Sequence, residues 1–167
     1  MSKLSSKVKI QLVLIGILAI FTLSLISSQK ATPNDPLLFV LKRVQEKTFL
    51  SLKSSPQEKL DYMVHLLNNR LYELNAVVRG KNYNYVLPSA SRYSTLAGQI
   101  TEYIIANNMK DKVAPTKKMF EDHYKTLVDL YVLYPKNDPE NNHEWKYIQD
   151  DYNYLKIYIE KLTQTVQ

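Results

Sequence analysis

The amino-acid sequence predicts an all-α protein, with one N-terminal transmembrane helix followed by an antiparallel bundle of about five helices. Three observations lead to this fold class. Apolar residues recur three and four positions apart, proline follows a capping residue at several segment starts, and no segment alternates polar and apolar residues as a strand would. The 167 residues include no Cys and only 3 Gly. Disulfides, thiolate metal sites and cysteine nucleophiles are therefore excluded, and a glycine-rich phosphate loop is disfavoured.

The N-terminal thirty residues predict the membrane anchor. Three lysines precede an uncharged run from Ile10 to Ile26, which with the two following serines is nearly long enough to cross a bilayer. The lysines favour a cytoplasmic N-terminus and a domain outside the cytoplasm. A cleaved signal peptide is the alternative, although the run is longer than a signal core and no A-x-A-like site follows it. The predicted organisation is a cytoplasmic tail at residues 1–9, an anchor at 10–28, a linker at 29–34 and an extracytoplasmic domain at 35–167.

The charge of the chain, +6 overall, is mild once the anchor is set aside. Residues 30–167 carry 19 basic and 16 acidic side chains, an excess too small to predict nucleic-acid binding. The basic excess lies in residues 30–92, which hold ten basic and five acidic side chains. This imbalance is typical of a solvated helix surface, and attraction to anionic lipid headgroups or cell-wall polymers is the alternative.

The first helix of the domain has a clear start signal. Asp35 can cap a helix whose first position is Pro36, where the fixed φ of proline suits a helix start. The apolar pattern predicts that this helix ends near Lys53.

The second helix has the strongest local signal in the chain. Ser55 precedes Pro56, and Glu58 stands three residues on, which is the spacing of a capping box. Gly80 should end the helix in a left-handed conformation. Because only a short turn separates this helix from the first, the two should form an antiparallel hairpin. Its apolar residues repeat at spacings of four and three: Leu60, Val64, Leu67, Leu71, Leu74 and Val78.

Polar stretches bound the remaining helices. Residues 81–91 interrupt the apolar pattern and offer an alternative boundary between two lobes. A third helix is expected from about residue 89 or 91 to 108, and a fourth at 117–134, separated by a break at 110–116 around Pro115. The last helix has the most regular apolar stripe of all, formed by Trp145, Ile148, Tyr152, Leu155, Ile159 and Leu162.

A family resemblance is carried by two segments at the start of the domain. These are residues 35–47, DPLLFVLKRVQEK, and residues 54–59, SSPQEK, followed by a long leucine-striped helix. They resemble a bacterial family classed as domain of unknown function 5667, whose members share an Asp-Pro-Leu-x-x-x-Leu-Lys-Arg-x-x-Glu-Lys opening and a Ser-Pro-Glu-x-Lys turn. The resemblance covers about residues 33–105. It implies a helical hairpin behind a signal peptide or one membrane helix, and it supplies no catalytic residue.

The titratable side chains do not form a recognisable catalytic or metal-binding pattern. His65, His123 and His143 include no pair four residues apart, so no two of them share a helical face as metal ligands would. We expect them at the surface or at the rim of the core. Asp150 and Asp151 are neighbours, which on a helix should point to different sides and face solvent. The sequence therefore predicts no cofactor, no metal and no enzymatic activity.

The tyrosines are the candidate binding residues. Tyr83 and Tyr85 lie in the polar stretch between helices, and Tyr147, Tyr154 and Tyr158 fall off the apolar stripe of the last helix. The three on the last helix could form an exposed aromatic strip that packs against a partner or stacks on sugars. Burial against a second helix, or a bias in composition, would also explain them.

The favoured function is a non-enzymatic, membrane-anchored domain that binds another envelope protein or has a structural role in the envelope. One alternative is a module that binds a cell-wall polymer or polysaccharide through Tyr83, Tyr85 and the basic first half of the domain. A second alternative is a helical protein secreted after signal cleavage. An enzyme would require a convergent set around His123 and Glu121.

Overall fold

The computed structural model describes residues 11, 15–16, 19, 22–24, 31, 35–137 and 143–165. These residues form helices and connecting turns, with no strand among them, so the prediction of an all-α fold is confirmed. From residue 35 onward the elements are α1 (Pro36–Ser51), α2 (Pro56–Arg79), a 3₁₀ turn η1 (Tyr83–Tyr85), α3 (Val86–Ala106), α4 (Lys110–Leu133) and α5 (Trp145–Gln164).

The predicted membrane anchor, from Ile10 to Ile26, falls mostly outside the described residues. In the parts of the chain that the structure describes, no helix combines the length and the apolar character needed to cross a membrane. The helices seen there are amphipathic; even α1, with 16 residues, carries four charged side chains, which are costly in hydrocarbon. The prediction of a single-pass membrane protein is therefore wrong. The predicted membrane contact through Ile10 to Ile26 lies mostly outside the described residues.

The chain divides into two compact units, residues 1–48 and residues 49–167. In the first unit, the buried Lys42 donates a hydrogen bond from Nζ to the carbonyl of Ala31 at 3.2 Å. The second unit contains α2 to α5. The predicted hairpin of the first two helices would cross the boundary between the units, and it stays a prediction. Residues 81–91 lie within the second unit, where α2 and α3 pack against each other.

The start of α2 follows the predicted capping pattern. The Ser55 side chain accepts a hydrogen bond from the backbone N–H of Glu58 at 3.1 Å, and Pro56 is the first helical residue. The Glu58 carboxylate accepts from the N–H of Ser54 at 3.3 Å rather than from Ser55 itself. The N–H of Glu58, which the helix start would leave unpaired, and the N–H of Ser54 just before the cap are thereby satisfied.

We expect Ser55→Ala to lower the free energy of unfolding by about 1 kcal/mol, because it removes the hydroxyl that caps α2. Urea denaturation measures the change. The matched control is Ser54→Ala, since Ser54 takes part in the cap only through its backbone N–H. Equal losses in the two variants would show that the cap hydroxyl has no special role.

The end of α2 differs from the prediction by one residue. Gly80 has φ −77°, whereas Lys81 has φ 58°, in the left-handed region. The N–H of Lys81 donates to the carbonyl of Val78 at 3.1 Å, and that of Asn82 donates to Val77 at 3.0 Å, which is a Schellman motif. Glycine at position 80 is explained by space, because a Cβ there would come within 2.8 Å of a carbonyl oxygen of α2.

Proline interrupts neither α3 nor α4. Pro88 is the third residue of α3, where its missing N–H would have no helical partner in any case. The break predicted at 110–116 is absent, since α4 begins at Lys110 and continues through Pro115. Pro115 is the sixth residue of α4, so the helix loses only the hydrogen bond to the carbonyl of Asp111 in its first turn.

The core of the second unit positions α5 between two neighbours. α3 packs against α2 and α5, and α5 packs against both α3 and α4. The apolar stripes predicted for α2 and α5 face this core, while the opposite edge of α5 borders a cleft beside α3. The largest fully buried side chains are Leu60, Leu67, Leu74, Tyr93, Ile100, Ile104, Phe120, Leu127, Leu130, Ile148, Leu155 and Leu162.

Candidate binding cleft between helices α3 and α5

One face of α5 brings tyrosines and carboxylates together. Residues 147, 150, 151, 154 and 158 follow one another at steps of three, one, three and four, so they share a side of the helix. This side borders a cleft of about 490 Å³ against α3. The cleft is lined by Ser91, Ser94, Thr95, Tyr147, Asp150, Asp151, Tyr154 and Tyr158.

The tyrosine rings form an ordered wall that is still open to solvent. Tyr147 is 38% exposed and Tyr154 is 44% exposed, while Tyr158 is half-buried. The rings of Tyr154 and Tyr158 are stacked, with their centres 6.2 Å apart and their planes 16° apart. The Tyr158 hydroxyl donates to the Ser94 carbonyl at 3.5 Å. The prediction placed these three tyrosines together on an exposed strip, and the structure places all three around one cleft.

Gly98 of α3 makes room for Tyr158. A Cβ at position 98 would lie 2.8 Å from the Tyr158 hydroxyl oxygen and 3.2 Å from the ring carbon that bears it. Any larger residue at 98 would therefore push the end of the tyrosine side chain away from α3. Residue 98 thus controls the shape of the cleft without contributing a side chain to it.

Asp151 is the unusual group of the cleft. Its side chain is 2% exposed, and its Oδ2 atom has no hydrogen-bond partner among the described residues. Burial raises the pKa of the Asp151 carboxyl from 3.8 to about 8; contact with the Ser94 side chain lowers this pKa and the charge of Asp150 raises it further. At neutral pH the group is therefore largely protonated. A buried carboxyl with an unused oxygen, at the base of a cleft, is a candidate ligand-binding group.

A second group of buried polar side chains joins α2, α3 and α4. The Tyr93 hydroxyl is 3.0 Å from Nδ1 of His123, and His123 Nε2 is 2.9 Å from Oδ1 of Asn68. Because an amide oxygen only accepts, Nε2–H donates to Asn68 and Nδ1 accepts from Tyr93. Burial lowers the pKa of His123 to about 4, with a smaller opposing effect of Asp122. Burial also raises the pKa of Tyr93, and the charge of Asp151 adds to that increase. His123 is thus a neutral core residue, contrary to the surface or rim position expected.

The other predicted site residues lie elsewhere. Tyr83 and Tyr85 belong to η1 and do not line the cleft. The Tyr83 ring packs against that of Tyr134, with the centres 4.6 Å apart, while Tyr85 is partly exposed. Two of the five predicted tyrosines therefore have a different environment from the other three.

A wider groove of about 650 Å³ lies along α4 and near the end of α5. Its lining includes Lys110, Lys117, Lys118 and Glu121, whose charged groups project from an exposed helix face. None of the described residues that line it has a buried polar atom without a partner. Glu121 lies in this groove and not with His123, so the convergent set that an enzyme required is not formed by this pair. The cleft between α3 and α5 is the better candidate site.

Sequence reasoning missed Asp151, Asp150 and Ser94. Asp150 and Asp151 were expected to point to different sides of a solvated helix, but both line the cleft, and Asp151 is buried. The signal was present in the spacing, because both aspartates fall between Tyr147 and Tyr154 on one helical face.

No family model, curated protein or solved structure matches this chain. The resemblance to domain of unknown function 5667 therefore stays a prediction, and the function has to be inferred from the cleft.

Proposed function

We propose that this chain is a non-enzymatic binding module that holds a partner protein at the cleft between α3 and α5. The observation that carries the proposal is the placement of three partly exposed tyrosines around one cavity of about 490 Å³. Tyrosine is enriched at the centres of protein interfaces, where its ring supplies contact area and its hydroxyl a hydrogen bond. A cavity of this size lies within the usual range of ligand pockets, about 300–1,000 Å³, and has room for a side chain inserted by the partner.

Binding is favoured over catalysis because the serine hydroxyls of the cleft have no histidine available as a base among the described residues. His123, which contacts Tyr93 of α3, has both ring nitrogens engaged by Tyr93 and Asn68. It is therefore not available as a base for Ser91 or Ser94, the hydroxyl groups of the cleft. The group that contacts the Ser94 side chain is the Asp151 carboxyl, which is largely protonated at neutral pH and so does not act as a base for a serine nucleophile.

A polysaccharide is the second candidate ligand, because stacked tyrosines beside hydroxyl and carboxyl groups also suit a sugar ring. The sugar would then stack on Tyr154 and Tyr158, and not on Tyr83 and Tyr85 as the sequence suggested. Pull-down with isolated cell-wall polysaccharide, lost in Tyr154→Ala, would favour the sugar. Absence of binding would exclude it.

Crosslinking from the cleft tests the proposed partner. A photoreactive amino acid at Ser91, which lines the cleft, is compared in cells with the same amino acid at Tyr72, which is 67% exposed on α2 and outside the cleft. We expect one discrete protein adduct from position 91 and none of that size from position 72. Equal adducts from the two positions, or none from position 91, would overturn the proposal.

Competition makes the result specific to the cleft. Purified unlabelled protein should suppress the adduct, whereas Gly98→Ala protein should compete about tenfold less well, because its new methyl group displaces Tyr158. Gly98→Ala should still fold, since alanine has a higher helix propensity than glycine and only the end of one side chain must move. Equal competition by both proteins would place the partner elsewhere.

A further inference from the structure

We propose that the partner inserts a lysine or arginine side chain into the cleft, where its cationic group pairs with Asp151 beside the rings of Tyr154 and Tyr158. This inference rests on the proposed function, since it names the group that the partner supplies. Three features of the cleft support a cation: the unused oxygen of Asp151, the charge of the lining residues, and the stacked tyrosine rings.

Asp151 differs from Glu73, a buried carboxylate on α2, in having no cationic partner among the described residues. Glu73 is paired with two guanidinium groups, those of Arg70 and Arg92, each at 3.1 Å. Asp151 forms no ion pair with any residue that the structure describes, and its Oδ2 accepts no hydrogen bond from them. A buried polar atom of this kind calls for an explanation, and a ligand that supplies the donor is one. When a cation binds, the Asp151 carboxyl releases its proton to solvent, and the ammonium or guanidinium group supplies the donor from outside the chain.

The lining of the cleft favours a cation. Asp150 and Asp151 line it, and none of the described residues around it is basic. The lysines of α5 are engaged away from the cleft. The ammonium groups of Lys146 and Lys156 lie 5.6 Å and 5.2 Å from the ring centres of Trp145 and Tyr124, and Lys161 pairs with Glu102. The cleft is therefore an acidic site without a cation of its own.

The tyrosines supply the rest of the recognition. Aromatic faces attract ammonium and guanidinium groups, and the apolar stem of a lysine or arginine packs well along a ring. The stacked rings of Tyr154 and Tyr158 line the same cleft as Asp151, so one side chain could touch both rings and end at the carboxyl group. A guanidinium can in addition stack on a ring plane. An apolar side chain would leave the carboxyl oxygen unpaired.

A titration with a model side chain tests the cation directly. Nα-acetyl-lysine amide is added to the isotope-labelled full chain, and backbone amide resonances are followed. Nα-acetyl-norleucine amide, which lacks the charge, is the control ligand. We expect saturable shifts centred on Ser94 and Asp151 with the lysine compound and none with the norleucine compound. Equal shifts from both compounds, or no saturable shift from the lysine compound, would overturn the inference.

Two variants, each lacking one carboxyl group of α5, show whether Asp151 is the group that binds the cation. Asp151→Asn should weaken binding of the lysine compound about tenfold or more, because asparagine cannot give up a proton and become the negative charge that pairs with the bound cation. Glu160→Gln should have no effect, since Glu160 is exposed on the same helix and outside the cleft. Asp151→Asn should fold, because the carboxyl that it replaces is itself largely protonated at neutral pH. Equal binding by wild type and Asp151→Asn would contradict the inference.

The two proposals fail in different ways. If the partner crosslinked from position 91 is captured equally by wild type and Asp151→Asn, the cation inference is overturned and the partner-binding function stands. If the lysine compound binds through Asp151 but no partner is crosslinked from the cleft, the proposed function is overturned, and with it the assignment of the cation to a protein side chain.

Discussion

Asp151→Asn is expected to abolish a loss of stability that the wild-type protein shows between pH 6.5 and about 8. In the folded protein burial raises the pKa of Asp151 from 3.8 to about 8. The folded state therefore keeps a proton that the unfolded state has released, and the free energy of unfolding falls as the pH rises through this range. The slope from one such group reaches about 1.4 kcal/mol per pH unit. Asparagine does not titrate, so the fall should disappear.

The titration of His123 sets the pH above which the fall in the free energy of unfolding can be observed. Burial lowers its pKa from 6.5 to about 4, so between these values the unfolded state binds a proton that the folded state does not. That effect raises the free energy of unfolding with pH, opposite in sign to the effect of Asp151. The two contributions cancel between about pH 4 and 6.5, and only the Asp151 contribution remains above pH 6.5. In Asp151→Asn the His123 contribution is left alone, and stability should drop on acidification below pH 6.5.

Urea denaturation at pH steps from 5 to 9 measures both profiles. Glu160→Gln, which removes an exposed carboxylate from the same helix, is the control and should keep the wild-type profile. A wild-type stability that rises from pH 6.5 to 8, or an unchanged profile in Asp151→Asn, would show that the Asp151 carboxyl ionises as an ordinary aspartate.

Glu73→Gln should lower the free energy of unfolding by about 3–5 kcal/mol, the usual cost of removing one partner from a buried ion pair. The Glu73 side chain is 1% exposed and accepts from Arg70 Nη1 and Arg92 Nη2, each at 3.1 Å. It links α2 to α3, since Arg70 lies on α2 and Arg92 on α3. The neutral amide would leave two guanidinium groups largely out of water with less compensation.

An exposed ion pair supplies the comparison. Asp122 and Lys125 are also 3.1 Å apart and three residues apart on one helix, but both side chains are well exposed. Asp122→Asn should therefore cost less than about 1 kcal/mol. Urea denaturation of both variants at the same pH measures the difference. Similar losses would mean that burial of the Glu73 cluster has no energetic consequence.

Local signals decided much of the secondary structure. The Ser55 cap, the Pro56 start and the apolar stripe of α5 involve residues three or four positions apart, so the sequence alone predicts them. Where α3 begins could not be predicted in this way. Its start has no side-chain cap of its own, and the N–H of Leu87 instead donates to the Glu144 carboxylate, 57 residues away, at 3.2 Å. No pattern within a short window contains that contact.

Only the part of the candidate site that depends on spacing within one helix could be predicted from the sequence. The spacing of Tyr147, Tyr154 and Tyr158 placed them off the apolar stripe, and the structure places them around the cleft. For Asp151 the sequence predicts a solvent-facing position, whereas the structure buries it at the cleft. Burial requires α3 to lie against α5, with Gly98 close enough to admit the Tyr158 ring.

The sequence by itself determined that the chain is helical, where most of its helices lie and which tyrosines share a face, because hydrogen bonding and side-chain spacing within a helix are local. Only the tertiary structure decided that Asp151 is buried and protonated, that His123 is a neutral core residue and that the tyrosines border a cavity. Desolvation depends on which helices meet, and those contacts join residues far apart in the chain.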